Sequence, residues 1–582
     1  MTPRWLQLTP RRLECPICGA NAARDLVSSP RLDRPAEEAR FLRCDGCSSL
    51  IHDGPIQAFE HIQQGDRTLF LRQYLENTAG PWEMLWPIGC LADAKTRSLL
   101  DVGCGFGLTA DLWRHQFNPD AHGCDPAAYA LAGRQTLGQH IHPFLLDDAP
   151  ALAGRTFDLV YASEVIEHVD SPGTFVARLA NALSPRGVLV LTTPAAEFIA
   201  PEHEPATVVA ALAPGFHAFL FSRSALESLL RAQGFSEVVV EQHHERLIAW
   251  AGHAPFIRAT PASALPPYLD YLARRADGID VTTLAGASLA AGLAYRDFKE
   301  RLLRGVGEGL AEAAERANRL ALWFGEPATD TSDTEGLLRT IEAVLLGTDE
   351  GPKAFGVRFR FCLPQMAFLN GTAAAQRGAR PAALAWHALA QDATKKLCAS
   401  SALNGLEATS FYWVSEQHRL SALIEAGDAQ AFASGLSDYL RAIDEPLASI
   451  GGSSPTPEMA FAFLETVMDA LVEPAYGDFL AIVAGELRAG NRVGVPTVIE
   501  EATAALISAV AERLRTGLAS ETRLATLGQC LDTLRAPRYS RLRTLFQRRL
   551  EAERARLRPS FATLSRAGGY AGGYRWQSQA QP

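Results

Sequence analysis

The sequence has no uninterrupted apolar stretch of the roughly 20 residues that a membrane span requires. Its opening residues, "MTPRWLQLTPRRLECPICG", lack the apolar run of about 7–15 residues that marks a secretory signal peptide. Positive charge is not in excess either, because 55 Lys and Arg stand against 65 Asp and Glu, giving a net charge of −10. These features argue against a membrane-spanning protein and against one that coats nucleic acid, which would usually be basic. We therefore expect a cytoplasmic protein.

Length and composition predict a globular protein of several domains. The 582 residues suffice for two to four domains, and 47% hydrophobic residues provide ample material for cores. Changes in composition along the chain predict four segments. These are a metal-binding ribbon (1–54), an α/β domain with a helical lead-in (55–254), an all-α region (255–565) and a disordered tail (566–582).

The second segment alternates short apolar runs with helical patterns. The runs "SLLDVG", "AHGCD", "IHPFLLDD", "FDLVYASE" and "GVLVLTTP" are predicted strands, and amphipathic stretches such as "LTADLWRHQF" separate them. "SEVVVEQ" and "RLIAWAG" close the series as an expected antiparallel pair. Strands that alternate with helices of this length predict a mostly parallel sheet with helices on both faces.

The all-α region has no catalytic motif. Amphipathic segments such as "LAEAAERANRLALWFG" follow one another, and "FLNGTAAAQRGARPAALAWHALAQ" resembles a tetratricopeptide-like helical hairpin. No fixed repeat length emerges, so a solenoid is not established. Helical arrays often bind partners, and we expect this region to oligomerise, to dock a protein partner or to cover the active site. Its larger aromatic residues are expected in cores rather than in a groove; they are Trp323, Trp386, Phe411 and Trp413.

A glycine-rich turn follows the first strand of the α/β segment. "LLDVGCGFG" contains Asp101, Gly103, Gly105 and Gly107. Glycines let the backbone turn sharply and approach a ligand closely. The turn differs from the G-x-G-x-x-G pattern of nicotinamide-binding domains, because residue 108 is Leu where that pattern needs Gly.

Acidic residues end the next two strands. Asp125 closes the second strand, where a carboxylate can accept hydrogen bonds from both hydroxyls of a ribose. Asp147 and Asp148 close the third and suit an adenine amino group.

With these motifs in this order, residues 96 to about 252 resemble a class I S-adenosylmethionine-dependent methyltransferase. The resemblance rests on "LLDVGCGFG", "GCDP", "FDLVYASEVIEHV", "RGVLVLTTP" and "HAFLFSRSALESLLRAQGF". It implies a Rossmann-like sheet of seven strands with S-adenosylmethionine as cofactor. By resemblance, the three glycines approach the methionine portion of the cofactor, and Asp101 faces the amino group of that portion. The resemblance also implies that Asp125 holds the ribose and that Asp147 or Asp148 holds the adenine. Glu164 is expected to line the cofactor pocket.

The stretch "SEVIEHV" leaves two alternatives open. If a helix begins near Ser163, then Glu164, Glu167 and His168 share one face. Together with His217 they resemble the metal-binding set of small-RNA 3′-terminal 2′-O-methyltransferases. The stretch also resembles quinone-biosynthesis O-methyltransferases and methyltransferases of surface-polysaccharide clusters, in which no metal is implied. On that alternative His168 and Glu164 are the candidate catalytic residues.

Four cysteines form two pairs in the first segment. "CPIC" contains Cys15 and Cys18, and "CDGC" contains Cys44 and Cys47. The C-x₂-C…C-x₂-C spacing predicts a tetrahedral structural zinc with no open coordination position. Some sugar and glycan methyltransferases contain such a module before the methyltransferase domain.

Taken together, these motifs predict an enzyme that methylates oxygen or nitrogen of a sugar, glycan precursor or related small metabolite. Three alternatives remain. They are metal-dependent methylation of an RNA 3′ end, quinone-type O-methylation of a phenol, and a non-catalytic scaffold that binds the cofactor.

Overall fold

The computed structural model describes residues 3–32, 34–56, 67–78, 80, 82–91, 97–201, 203, 205–324, 334–398, 406–471, 473–489, 498–516, 521–534 and 539–555. The chain divides into two compact units. The first comprises Met1–Phe411 with Ala448–Gly452, and the second comprises Tyr412–Leu447 with Ser453–Pro582. The predicted domain boundaries stay predictions, and the predicted tail lies outside the described residues.

The N-terminal segment is an antiparallel sheet. Its strands are β1 (Arg4–Trp5), β2 (Pro10–Arg11), β3 (Ala23–Pro30), β4 (Glu38–Cys44) and β5 (Leu50–Asp53). They lie in the order β1-β3-β4-β5, and β2 pairs with the start of β3. Because Ala23 of β3 pairs with Cys44 of β4, the loop before β3 and the turn after β4 lie side by side. This register brings the two cysteine pairs together.

The described residues of the α/β segment form eight strands and seven α-helices. The strands are β6 (Leu99–Val102), β7 (Ala121–Cys124), β8 (Ile141–His142), β9 (Phe157–Ser163), β10 (Leu183–Pro194), β11 (Phe219–Leu220), β12 (Glu237–His243) and β13 (Arg246–Gly252). The helices are α1 (Arg67–Thr78), α2 (Trp82–Gly89), α3 (Leu108–Gln116), α4 (Ala128–Thr136), α5 (Pro172–Asn181), α6 (Pro205–Leu212) and α7 (Arg223–Ala232).

Seven of these strands form one sheet in the order β12-β13-β10-β9-β6-β7-β8. The strands from β6 to β10 in this sheet run parallel, whereas β13 is antiparallel to both β10 and β12. The predicted seven-stranded α/β fold is therefore confirmed. The strand order reverses between β6 and β9, and open α/β sheets bind ligands outside the carboxyl ends of the strands at such a point.

The third strand of the sheet is shorter than predicted. Only Ile141–His142 of "IHPFLLDD" pairs with β7, and Leu146–Asp148 forms a 3₁₀ turn. Pro143 interrupts the run because proline has no N–H to donate to a neighbouring strand. The backbone amide of Phe144 instead donates to the carbonyl of His142 at 2.8 Å, which closes a tight turn.

Strand β11 belongs to the N-terminal sheet rather than to the larger one. Phe219 and Leu220 pair with Ile51 and Leu50 of β5. The next residue, Phe221, forms a parallel bridge with Ala195 at the end of β10. Three consecutive residues of the α/β segment therefore connect the cysteine-containing sheet to the seven-stranded sheet.

The remainder of the described chain is helical, as predicted. The helices are α8 (Leu265–Gly278), α9 (Leu284–Arg304), α10 (Leu310–Leu320), α11 (Thr334–Leu346), α12 (Pro352–Arg358), α13 (Leu363–Gln376), α14 (Arg380–Cys398), α15 (Leu406–Glu425), α16 (Ala429–Asp444), α17 (Pro457–Ala470), α18 (Gly477–Ala489), α19 (Val498–Thr516), α20 (Glu521–Thr533) and α21 (Ser540–Ala555). Across the described ranges, none of the helices is both long enough and apolar enough to span a membrane. Trp386 and Trp413 are buried, as expected of core residues, whereas Trp323 and Phe411 are half-buried.

Candidate active site

A cavity of about 490 Å³ lies at the carboxyl ends of β6, β7 and β9. It is lined by most of the predicted site residues, namely Asp101, Gly103, Gly105, Asp125, Asp147, Glu164 and His168. Gly107 and Asp148 are not among the lining residues. The volume lies within the range of roughly 300–1,000 Å³ that is usual for small-molecule and cofactor sites.

The glycine turn borders the cavity with bare backbone. Gly105 and Gly107 have φ angles of 55° and 94°, in the left-handed region that favours glycine. A Cβ on Gly107 would lie 2.3 Å from Cδ1 of Ile141, and one on Gly105 would lie 3.0 Å from the hydroxyl oxygen of Tyr74. Gly107 therefore maintains close packing behind the turn, whereas Gly105 leaves room for the hydroxyl of Tyr74.

Two carboxylates lie beside this turn, the half-buried Asp125 and the buried Asp101. Asp125 accepts hydrogen bonds from the backbone amides of Gly105 at 2.9 Å and Ala127 at 2.7 Å, which fix its orientation. Asp101, at the end of β6, is only 3% exposed. Burial and the nearby charge of Asp125 raise the pKa of Asp101 to about 8. Without a cation beside it, Asp101 is therefore largely protonated at neutral pH.

At the far end of the cavity, Asp147 forms an ion pair with Arg178 at 3.2 Å. Phe144 and Leu145 precede it and are unusually exposed for apolar residues, at 44% and 54%. Both line the cavity. An apolar flat surface next to a carboxylate suits a planar heteroaromatic ring with an amino group.

The helix that would place Glu164, Glu167 and His168 on one face does not form. Glu164 has a φ angle of 56°, a conformation that costs energy for a residue with a side chain, and only a 3₁₀ turn follows at Ile166–His168. The backbone amide of Glu164 still donates to the carbonyl of Thr192, which extends the pairing of β9 with β10 by one residue. The chain then turns, which places Glu164 and Glu167 in two different groups of side chains.

Glu164 belongs to a polar cluster at the cavity wall. Its Oε1 accepts a hydrogen bond from the hydroxyl of Thr192 at 3.0 Å and lies 3.7 Å from Nε of Arg246. The hydroxyls of Thr192 and Ser163 lie 2.7 Å apart. Ser163 also lines the cavity.

Glu167 instead forms a group with two histidines. The potential ligand atoms of Glu167, His168 and His217 lie within 4.8 Å of one another. Glu167 is fully buried; Thr193 donates to its Oε2 at 3.0 Å, whereas its Oε1 has no hydrogen-bond partner. Backbone carbonyls lie 3.1 Å from Nδ1 of His168 and 3.0 Å from Nδ1 of His217. Hydrogen bonds of this kind orient histidines whose other nitrogen binds a metal.

Sequence patterns did not identify the residues that cover the cavity. Tyr74 of α1 and Met84 of α2 line it from above, and α1 and α2 are called the roof helices below. Tyr74 stacks on Tyr129 with ring centroids 5.5 Å apart and an angle of 7° between the rings. The stretch "LRQYLEN" around Tyr74 belongs to no recognisable motif, so only the fold brings it to the site.

The four cysteines converge as their spacing predicts. Their Sγ atoms all lie within 4.8 Å of one another, with 3.8 Å between Cys15 and Cys47 and 3.6 Å between Cys18 and Cys44. None forms a disulfide. Thiolates at 2.3 Å from a tetrahedral zinc are separated by roughly 3.8 Å, so the observed spacing fits this ion.

Comparisons with known proteins agree with this site. Residues 67–241 match the sequence model of a family described as a methyltransferase domain. The tRNA U34 carboxymethyltransferase of Klebsiella pneumoniae is 37% identical over 123 residues, which cover 19% of this chain and 35% of that protein. The ubiquinone biosynthesis O-methyltransferase of Rhodopseudomonas palustris is 31% identical over 110 residues, which cover 18% of this chain and 42% of that protein.

A solved structure is also similar to part of this chain. An S-adenosylmethionine-dependent methyltransferase from Mesorhizobium loti is 19% identical, with a TM-score of 0.23, over 28% of this chain and 93% of that one. The chain spans well under half the length of the two curated relatives named above. Residues 67–241 are therefore a methyltransferase domain by similarity, which supports the predicted enzyme class.

The raised pKa of Asp101 predicts a specific pH dependence of stability. The folded protein holds a proton on Asp101 up to about pH 8, whereas the unfolded chain releases it near pH 4. This group therefore destabilises the ligand-free fold progressively from about pH 4 to pH 8. We expect the melting temperature of Asp101→Asn, relative to the wild type, to rise across this window and to level off above it. For Asp101→Ala, the difference in melting temperature from the wild type should rise with pH in the same way, but it should be lower at every pH. A difference that is independent of pH would contradict the assignment.

Proposed function

We propose that this protein transfers a methyl group from S-adenosylmethionine to an oxygen or nitrogen of a small polar acceptor such as a sugar or glycan precursor. The proposal rests on one observation above all. A single cavity is bordered by the bare backbone of Gly105, by the fixed carboxylate of Asp125 and by the polar cluster of Glu164. One end of the cavity thus suits the cofactor, and the other suits a polar acceptor.

The cofactor fits the residues that are present. Asp125 would accept hydrogen bonds from the ribose hydroxyls, and the protonated Asp101 would ionise beside the cationic amino group of the methionine portion. Asp147, next to Phe144 and Leu145, would hold the adenine. Gly107 and Asp148 would contribute only indirectly, since neither lines the cavity.

The acceptor end is polar. Bound S-adenosylmethionine supplies an electrophilic methyl group, so the protein has mainly to align a nucleophile and exclude water. Glu164, held by Thr192 and Arg246, would orient an acceptor hydroxyl or amine. His168 would accept a hydrogen bond from the same group. The roof helices close the cavity above both ligands.

A second candidate function is supported by the group of Glu167, His168 and His217. A buried carboxylate oxygen without a partner and two oriented imidazoles suit a divalent cation. A cation there would favour an acceptor with neighbouring hydroxyls, such as the 3′-terminal ribose of an RNA. The sequence similarity to an enzyme named for tRNA is compatible with this candidate. Glu164 is not part of the group, so the four-ligand set that the sequence suggested is reduced to three.

We further propose that the four cysteines bind one structural zinc. Their thiolates would fill the coordination shell, which leaves no position for a substrate. The ion would stabilise a sheet too small to form a substantial core of its own. Through β5 and β11 it would also stabilise the segment that follows His217.

Binding of S-adenosylhomocysteine, measured by titration calorimetry, tests the cofactor site. The wild type is expected to bind with a micromolar dissociation constant. Asp125→Ala should weaken binding by about a hundredfold or more, because it removes charge-assisted hydrogen bonds to the ribose. Asp120→Ala, at the opposite end of β7, is the matched control and should bind as the wild type does. If the folded wild type does not bind, the chain lacks the proposed activity.

Turnover with a panel of acceptors distinguishes the candidate functions. With a sugar or glycan precursor, His168→Gln should lower kcat by about a hundredfold while the affinity for S-adenosylhomocysteine stays the same. His253→Gln, outside the cavity, is the control.

Methylation of RNA that requires Mg²⁺ or Mn²⁺ and is lost in Glu167→Ala would establish the second candidate function. Methylation of phenols would establish the quinone-type alternative. Cofactor binding without turnover on any acceptor would favour the scaffold.

Metal analysis and hydrogen exchange test the zinc proposal. The purified protein should contain about one zinc per chain, and Cys18→Ser should lose most of it, whereas Cys530→Ser should not. Removal of the metal should speed amide exchange at residues 50–53 and 218–221 more than at β6. A protein that folds without metal and shows no such difference would overturn the proposal.

A further inference from the structure

Helix α1 presents two opposite faces to two different parts of the first unit. Phe70 and Tyr74 lie one turn apart on one face, and Arg72 and Glu76 lie one turn apart on the other. The two pairs are offset by two residues, which is about 200° around a helix of 3.6 residues per turn. One face can therefore contact the methyltransferase domain while the other contacts the helices that follow it in the chain.

The first face covers the proposed cofactor site. Tyr74 and Phe70 both stack on Tyr129, with ring centroids 5.5 Å and 6.0 Å away. The hydroxyl of Tyr74 would lie 3.0 Å from a Cβ on Gly105. Tyr74 and Tyr129 both line the cavity. The position of Tyr74 thus determines how the cavity is closed above the glycine turn.

The second face is held by a buried charged network. The carboxylate of Glu76 is fully buried, and its Oε1 accepts hydrogen bonds from Arg72 at 3.1 Å, Ser288 at 3.0 Å and Arg360 at 2.9 Å. Its Oε2 accepts a fourth from the backbone amide of Phe361 at 2.8 Å. Ser288 lies in α9, and residues 360 and 361 lie between α12 and α13. One carboxylate therefore joins α1 to two separate parts of the helical region.

Neighbouring contacts strengthen this attachment. Arg72 donates to the carbonyls of Gly356 at 2.6 Å and Phe359 at 3.2 Å. Asn77 accepts a hydrogen bond from Arg296 at its backbone carbonyl and another from Gln365 at its side chain, at 2.7 Å and 3.1 Å. A buried network in which each charge has its partner holds a single geometry, since loss of one partner leaves another charge buried alone.

We propose that the helical region around α9 and the α12–α13 connection fixes α1 over the cofactor cavity, and that Glu76 is a positioning residue for Tyr74. This proposal rests on the proposed function of the cavity. It assigns to this part of the helical region a role in closing the methyltransferase site. Glu76 itself does not line the cavity and acts through the helix on which Tyr74 lies.

A double-mutant cycle on the full-length chain tests the proposal, with S-adenosylhomocysteine as the probe in calorimetry. Glu76→Gln, which keeps the shape but removes the charge, should weaken binding by about tenfold. Tyr74→Ala should weaken it by a similar factor. When Tyr74→Ala is already present, Glu76→Gln should weaken binding of the probe by less than about a further twofold, because the side chain that Glu76 positions is already absent.

Two further variants separate positioning from general stability. Glu500→Gln removes the charge of another fully buried glutamate, which pairs with Arg441 at 3.1 Å in the second unit; it should lower the melting temperature without changing the affinity. Ser288→Ala removes only one hydrogen-bond donor to Glu76, so the fold should stay intact and the affinity for the probe should decrease slightly. This variant tests the proposal even if Glu76→Gln does not fold.

The outcomes are distinct. Suppose that the wild type binds the probe and that the effects of Glu76→Gln and Tyr74→Ala on the binding free energy add in the double variant. Glu76 then acts on general stability, and the positioning role is wrong. The same conclusion follows if neither Glu76→Gln nor Ser288→Ala changes the affinity. If the folded wild type does not bind at all, the proposed function fails first.

Discussion

The candidate site depends on the glycine turn after β6, where the backbone itself lies against the cavity. Gly107 packs against Ile141, where a Cβ would lie only 2.3 Å away, and this contact holds the turn against the sheet. Gly105 can then donate its amide to Asp125 while its other side faces the hydroxyl of Tyr74. A side chain at Gly107 would move the turn, and with it the carboxylate that is proposed to hold the ribose.

The site is completed by elements that lie far from this turn in sequence. The roof helices precede β6, and their positions are set by contacts with later parts of the chain. Tyr161 of β9 donates to the carbonyl of Met84 at 2.7 Å, and Trp250 of β13 donates to that of Pro87 at 2.7 Å. Glu76 attaches α1 to the helical region. The roof helices are thus held by both the sheet and the helices beyond it.

The cysteine-containing sheet is connected to the same region through backbone pairing. The amide of His52 donates to the carbonyl of Ala218 at 2.9 Å, and the amide of Ala218 donates to the carbonyl of Glu167 at 2.8 Å. The proposed zinc would therefore stabilise the neighbourhood of His217 without contacting a substrate. This arrangement accounts physically for a structural module placed ahead of a methyltransferase domain.

The sequence alone determined the seven-stranded sheet, the glycine turn, the strand-end aspartates and the convergence of the four cysteines. These features depend on local periodicity, on glycine conformation and on short spacings, all of which are visible in a single stretch of chain. Tertiary structure decided that Glu164 faces the cavity while Glu167 joins two histidines, because one residue with positive φ redirects the chain. It also decided that Tyr74 covers the cavity, since its position depends on Ser288, Arg360 and Phe361, more than 200 residues away. No local pattern specifies contacts between residues so distant in sequence.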